Sequence, residues 1–300
     1  MPEAKYYHAR MKLFPILVTM MTAGMVLAET PAPAPQQASQ IDLMTMTQDA
    51  RCKQVVVTCL INGQPMRMML DTGATHTVLH TESAARLKDA RWLDTSKMNF
   101  RGNSSQRPQL LVAQLLAGPA ESPEHPVMVM NLGAVRSMMA EKIDGILGMD
   151  ILHALPFTFD LRSGEFYWGI PQDAKLVPLY AAADGTGRVT VQGRCGGKNV
   201  HMLLDTGSSV TRVFSDEWAP GEGAEIGAQI GDIDSATGVK LMEGAAGDME
   251  LGPGVTAKGV TPLLCNRNEL PMLGMDGLRG LVLVHVPTED SPHGLFLIAQ

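Results

Sequence analysis

The chain has 300 residues, 45% of them apolar and 5% aromatic, with a formal net charge of −7. That balance excludes disordered and fibrous classes, and the length fits one bilobal unit or two modest domains. An acidic chain with no basic run also excludes a nucleic-acid partner, which needs positive charge to neutralise phosphates.

The first predicted element is a signal peptide over residues 1–28. A basic start ending at Lys12 precedes an apolar run from Leu13 to Leu27, and Val26-Leu27-Ala28 offers small residues for cleavage. Pro15, Thr19 and Thr22 interrupt the run, which is short for a membrane span. No Cys follows it, which disfavours a lipid anchor. The expectation is export, periplasmic or secreted, with no stable membrane insertion after cleavage. Residues 29–50, which contain Thr30-Pro-Ala-Pro-Ala-Pro35, read as an extended Pro/Ala-rich linker.

From Gln54 the pattern becomes β-rich. Gln54 to Ile61 and Met66 to Leu70 read as strands joined by an Asn62-Gly63 turn. Thr81 to Leu87 carries a helical cue, with Thr81 as N-cap. Pro171 to Asp184 reads as a connection. Arg188 to Gln192, Gly196-Gly197 and Val200 to Leu204 then repeat the opening hairpin, and Ser215 to Trp218 repeats the helical cue with Ser215 as cap. The abundant Met residues read as flexible core filler. Cys52, Cys59, Cys195 and Cys265 contain no Cys-x-x-Cys, so a zinc knuckle has little support. In an exported chain they are disulfide candidates, with three pairings open and buried thiols as the alternative.

The repeat is the central fact. Leu70-Asp71-Thr72-Gly73 recurs as Leu204-Asp205-Thr206-Gly207, 134 positions on. Val55, Val57, Gly63 and Thr77 recur at the same offset as Val189, Val191, Gly197 and Thr211. Ile146-Leu147-Gly148-Met149-Asp150 is answered by Met272-Leu273-Gly274-Met275-Asp276. Two lobes are expected, 51–176 and 177–300. On two copies of one unit, Asp71 and Asp205 would face each other across a pseudo-two-fold axis. Two carboxylates that close cannot both ionise cheaply, so they would share a proton. One then serves as base for a water while the other polarises a carbonyl.

The segment Leu70-Asp71-Thr72-Gly73-Ala74-Thr75-His76-Thr77-Val78-Leu79 resembles the active-site segment of retropepsin-like aspartic proteases. Ile146-Leu147-Gly148 and Met272-Leu273-Gly274 resemble the element that packs behind that segment. With an export signal, the chain is similar to the bacterial periplasmic members. The resemblance implies a mostly β, bilobal retropepsin/pepsin-like acid protease fold made of two duplicated lobes with short helices. It implies Asp71 and Asp205 as catalytic pair, Thr72 and Thr206 interlocked beneath them, and Gly73, Ala74, Gly207, Ser208, Gly148 and Gly274 as support. Substrate-covering flaps are expected at Phe100 to Ser104 and Gly231 to Ser235, which makes Gly102 and Asp232 substrate-binding candidates with His76. The partner is a polypeptide, no cofactor is implied, and both active-site halves in one chain imply a monomer. The alternatives are a catalytically inactive peptide-binding module of the same fold, and a chain that dimerises through one lobe.

His76 and His80 near Asp71 could suggest a metal, but alternation along the strand and the missing fourth ligand argue against one. No Gly-x-Ser-x-Gly elbow supports serine hydrolysis. Two further expectations concern differences between the repeats. Ser208 offers a hydroxyl where Ala74 has none, which predicts a hydrogen bond to Asp205 that keeps its charge while Asp71 keeps the proton. Asp276-Gly277-Leu278-Arg279-Gly280 replaces the apolar Ile151-Leu152 run, which predicts different local packing after Gly274 with the carboxylate pair unaffected.

Overall fold

The computed structural model describes residues 46–48, 53–93, 108–183, 188–219, 229–234, 239–266, 270–288 and 291–300, all within one compact unit, Gln40–Gln300. Each half begins with a tight hairpin. In the first, β2 (Val55–Ile61) and β3 (Gln64–Leu70) meet through Asn62 and Gly63, both at positive φ (49° and 73°). That is the turn whose twist matches two right-handed strands, and it favours Asn-Gly. In the second, β13 (Val189–Cys195) and β14 (Lys198–Leu204) meet through Gly196 and Gly197, also at positive φ (53° and 81°). Ile61 pairs with Gln64, and Cys195 with Lys198, so the register repeats as well.

After each hairpin comes a crossed pair of strands around a central one. β3 runs parallel to β8 (Gly145–Leu147), and β4 (Val78–His80) lies antiparallel on the other side of β8. The second half does the same: β14 runs parallel to β21 (Met272–Leu273), with β15 (Arg212–Phe214) antiparallel beside it. The turns after β3 and β14 therefore emerge at equivalent points of two similar sheets. In the first sheet, β6 (Gln109–Ala117) pairs with both β7 (Ala120–Met130) and β2, which curls it toward a barrel.

A third sheet mixes the halves. Its order is β10 (Glu165–Trp168), β9 (Phe157–Asp160), β22 (Val282–Thr288), β23 (Ser291–Ala299) and β11 (Leu176–Pro178). One apolar core runs through it, with Leu70 and Leu147 of the first lobe and Leu204 and Leu273 of the second in the same cluster. Phe157 and Phe159 sit in that core at 1% exposure. Each such side chain contributes about 1.5–3 kcal/mol on burial, so the lobes share stability rather than merely touch.

Short helices follow β4, β7 and β8. The cue at Thr81 is helix α1 (Thr81–Arg86), but Thr81 is its first residue and His80 its cap, without a side-chain capping bond. The His80 ring instead accepts from the Leu132 backbone N–H at 2.9 Å, which fixes it as a buried structural residue. Ser215 to Glu217 is a turn, and neither it nor Trp218 is helical. Its side chains are drawn into tertiary contacts: Glu217 accepts from the His201 N–H, and the buried Trp218 indole donates to the Ala245 carbonyl at 2.9 Å. Cys59, Cys195 and Cys265 are buried thiols, and Cys52 lies outside the described residues. No described helix is long and apolar enough to cross a membrane.

Candidate active site

Strand β3 delivers Asp71, whose N–H donates to the Leu147 carbonyl of β8 at 3.1 Å. The chain then turns at once, and the N–H groups of Gly73 and Ala74 donate to Asp71 Oδ1 at 2.8 and 3.0 Å. Asp205 is held alike: its N–H donates to Leu273, and the Ser208 N–H donates to its Oδ1 at 3.0 Å. The two turns interlock. Thr72 Oγ1 donates to the Leu204 carbonyl at 2.9 Å and accepts from the Thr206 N–H at 3.1 Å. Thr206 Oγ1 donates to Leu70 at 3.3 Å and accepts from the Thr72 N–H at 3.1 Å. Both threonines are buried. Four reciprocal bonds, each worth about 1 kcal/mol, hold one lobe's turn against the other's.

That lock brings each carboxyl against the opposite glycine. A Cβ on Gly207 would lie 2.5 Å from Asp71 Cγ, and one on Gly73 would lie 2.7 Å from Asp205 Cγ. The carboxyls are hydrogen-bonded to each other. Burial, then the charge of Asp205, then their mutual hydrogen bond push Asp71 up to about 8, against the pull of the Gly73 and Ala74 N–H groups. Burial also raises Asp205, while bonds from Asp71, Gly207 and Ser208 and the nearby Arg212 charge favour its ionised form. Both carboxyls are thus raised, and the pair titrates as a unit, with the stronger upward push on Asp71. The Ser208 hydroxyl is not the cause, because it donates to the Val210 carbonyl at 2.8 Å. Gly207→Ala is expected to force the carboxyls apart and lower any cleavage activity by at least roughly 100-fold. Kinetics alongside a circular dichroism spectrum check this, since an active, folded variant contradicts the close approach.

Behind the turns lies a second tier that the sequence marks only through its repeats. The N–H of Thr77 and its Oγ1 donate to Asp150 at 2.8 and 2.7 Å, and His125 Nε2 meets Asp150 Oδ2 at 3.0 Å. Gly148 donates to Thr77 Oγ1 at 3.2 Å, and the Met149 N–H reaches Ala74 at 2.8 Å. In the second lobe Thr211 Oγ1 donates to Asp276 at 2.6 Å, Gly274 donates to Thr211 Oγ1 at 3.2 Å, and Met275 reaches Ser208 at 2.9 Å. The packing after Gly274 is therefore repeated in the second lobe rather than lost: α3 (Met149–Leu152) has its counterpart in α4 (Met275–Leu278). Gly277 stands where the first lobe has Ile151 because a Cβ there would lie 2.4 Å from Thr211 Oγ1.

A cavity of about 370 Å³ opens over the aspartates. Gly207, Ser208 and Arg212 line it from the second lobe, and Met69, Ile146, Val135, Met138 and Met139 from the first. The last three come from helix α2 (Gly133–Met138) and the residue after it, a segment that the sequence does not mark. Its helix has no side-chain cap, so it sends no local signal. Gln54 lines the cavity too, and its Nε2 crosses to the Gly207 carbonyl at 3.0 Å. His76 is not among the lining residues; it is exposed, with Nδ1 2.8 Å from Thr75 Oγ1. Asp232 lies on β16 (Gln229–Asp234), paired with β17 (Val239–Glu243) as a hairpin. Gly102, with the rest of Phe100 to Ser104, lies outside the described residues, as does Ser235. Among the described residues no group of three or more His, Cys, Asp or Glu could hold a metal ion.

Residues 57–151 match the sequence model of a family described as aspartyl protease. The crystal structure of an aspartic proteinase from Irpex lacteus superposes with a TM-score of 0.50 at 14% identity, covering 86% of this chain and 96% of that one. No match is found among curated proteins. The first lobe is thus similar in sequence to the aspartyl protease family, and the whole chain is similar in fold to an aspartic proteinase. The sequence match lies within the first lobe and stops shortly after Gly148. The fold likeness to the aspartic proteinase extends over both lobes, at an identity too low to speak for more than architecture. For the second lobe the likeness is one of fold, alongside the internal repeat.

Proposed function

We propose that the chain is an exported, single-chain aspartic endopeptidase in which Asp71 and Asp205, one from lobe 51–176 and one from lobe 177–300, activate a water against a peptide bond. The observation that carries this reading is the reciprocal lodging of each carboxyl against the other lobe's glycine. In the proposed step, ionised Asp205 takes a proton from water as its oxygen attacks the carbonyl carbon. Protonated Asp71 gives its proton to the carbonyl oxygen, and a neutral tetrahedral diol forms. Collapse returns the diol proton to Asp71 while Asp205 protonates the leaving nitrogen, the C–N bond breaks, and the pair regains its starting state. Thr72 and Thr206 fix the carboxyls in position, and the apolar lining of the cavity lowers the local dielectric around them.

The direct experiment is incubation of the protein from residue 29 onward with a mixed peptide library, with and without a statine-containing inhibitor. Inhibitor-sensitive cleavage is the expected result, and intact peptides after long incubation overturn the reading. Because both aspartates sit on one chain, specific activity is expected to stay constant on dilution through the nanomolar range. An activity that collapses on dilution would instead reveal an obligate dimer, which dissociates by mass action.

A further inference from the structure

We propose that Arg212 sets the substrate class: the cleft selects peptides with an acidic side chain on one side of the scissile bond, seated against this guanidinium. The inference rests on the proteolytic reading of the cleft and deepens it. Arg212 opens β15 and lines the same cavity as Asp71 and Asp205. Around it the lining is largely apolar, with Val135, Met138, Met139, Ile146 and Leu263. Its Nε is buried without a hydrogen-bond partner, and none of the ion pairs among the described residues includes it. It acts on Asp205 only through space.

A guanidinium nitrogen stripped of water and left unpaired is costly, and a carboxylate is the group that satisfies its planar fork best. A substrate amide would meet only part of that need. The neighbouring surface has the same sign. A second cavity, of about 600 Å³, shares Ser209 with the first and is lined by Lys53, Arg162 and Arg279. Arg162 is taken up by Asp160, and Asp276, the one carboxylate of that lining, is held by Thr211. Against the single charge of Asp276, Lys53 and Arg279 leave one positive charge in excess at this approach, on a chain whose net charge is −7, which steers acidic peptides toward the cleft.

The repeat also gives the selectivity a side. The residue at the same offset from Asp71 is Val78, apolar and 7% exposed. One lobe thus has a cation where the other has a buried aliphatic residue that does not line the cavity, so the acidic preference falls at one position on one side of the bond, and its mirror position lacks it.

The test uses peptides identical except for one Glu or Gln, moved through each position flanking the cleaved bond. kcat/KM is measured for the parent, Arg212→Gln and Arg212→Lys, and binding of the same peptides to Asp71→Asn and to Asp71→Asn/Arg212→Gln is measured by calorimetry. The parent is expected to favour Glu over Gln by roughly 10- to 100-fold at one position, the range set by charge-assisted hydrogen bonds. Arg212→Gln brings that ratio close to one, and Arg212→Lys restores part of it. An Arg212 that serves only to keep Asp205 ionised would change both peptides equally, and an unchanged ratio in Arg212→Gln overturns the proposal. Cleavage of Glu and Gln peptides at equal rates throughout overturns it too, while the protease reading stands. If nothing is cleaved but Asp71→Asn binds Glu peptides selectively through Arg212, the protease reading falls, and with it the placement at a scissile bond, while acidic selectivity stands as a property of binding alone.

Discussion

Replacing Asp71 with Asn is expected to abolish peptide cleavage and, at neutral pH, to raise the melting temperature. The loss of activity should reach roughly 10³-fold or more, the scale on which one member of a catalytic unit disables the whole. The stability gain comes from the raised acidity constant. Asp71 ionises near 8 in the fold, because of burial first and the Asp205 charge second, against about 3.9 in an unfolded chain. Its favourable, protonated state is fully present in both forms below the unfolded value. As pH rises toward 8 the unfolded chain ionises and the folded one resists, so stability is lost over that window. Asn keeps the neutral shape and escapes the penalty. Allowing for screening in a partly exposed cleft, the gain is on the order of 2 kcal/mol at pH 7.5 and close to zero at pH 4. That corresponds to roughly 4–8 °C. Thermal melts at both pH values check it, and an equal shift at each would contradict a shared proton. The same displacement places the basic limb of the parent's pH–rate profile near 8, with activity falling as the last proton of the pair leaves.

Asp150→Ala is expected to be the most destabilising single change near the site, with the opposite pH dependence. Burial opposes ionisation of this carboxyl, but hydrogen bonds from His125 and Thr77 outweigh it and hold the group below the usual range. Its contribution is therefore present above the unfolded value of about 3.9 and lost as pH falls through the lower folded one. Removal leaves the Thr77 N–H, the Thr77 hydroxyl and His125 without their acceptor. The expected cost is about 3–5 kcal/mol at pH 7, or roughly 10 °C, shrinking toward pH 3. Asp276→Ala should cost less, since among the described residues its side-chain partner is Thr211 and its other bond is local, from Gly277. Urea titrations of the two variants at pH 7 and pH 3 compare them, and equal losses would show that His125 adds nothing.

The parts of the site visible in the sequence are those that repeat. Asp71 with Asp205, Thr72 with Thr206 and the two hairpin turns each appear twice at one offset, and a duplicated unit places duplicated residues across an axis. Residues that break the repeat are harder to read. Arg212 is one cation in a β-branched run, and only the closing of the cavity gives it meaning. His125 lies far from Asp150 along the chain, with no spacing rule to connect them. The sequence suggests a carboxylate partner that the Ser208 hydroxyl does not reach, because the turn aims that hydroxyl at the Val210 carbonyl. At Ser215 to Trp218 a local helix cue gives way to the pull of tertiary partners on Glu217 and Trp218.

The interleaved sheet carries a consequence for how the molecule is made. Strand β9 is bordered on one side by β10 and on the other by β22, whose residues 282–288 are synthesised long afterwards. Until those residues emerge, the first lobe waits with an open backbone edge beside Phe157 and Phe159, ready to pair with any extended segment it meets. Productive closure then depends on contacts of very large sequence separation, which form slowly. The vulnerable interval for this protein is therefore its own biosynthesis, when a half-finished chain is at its most adhesive.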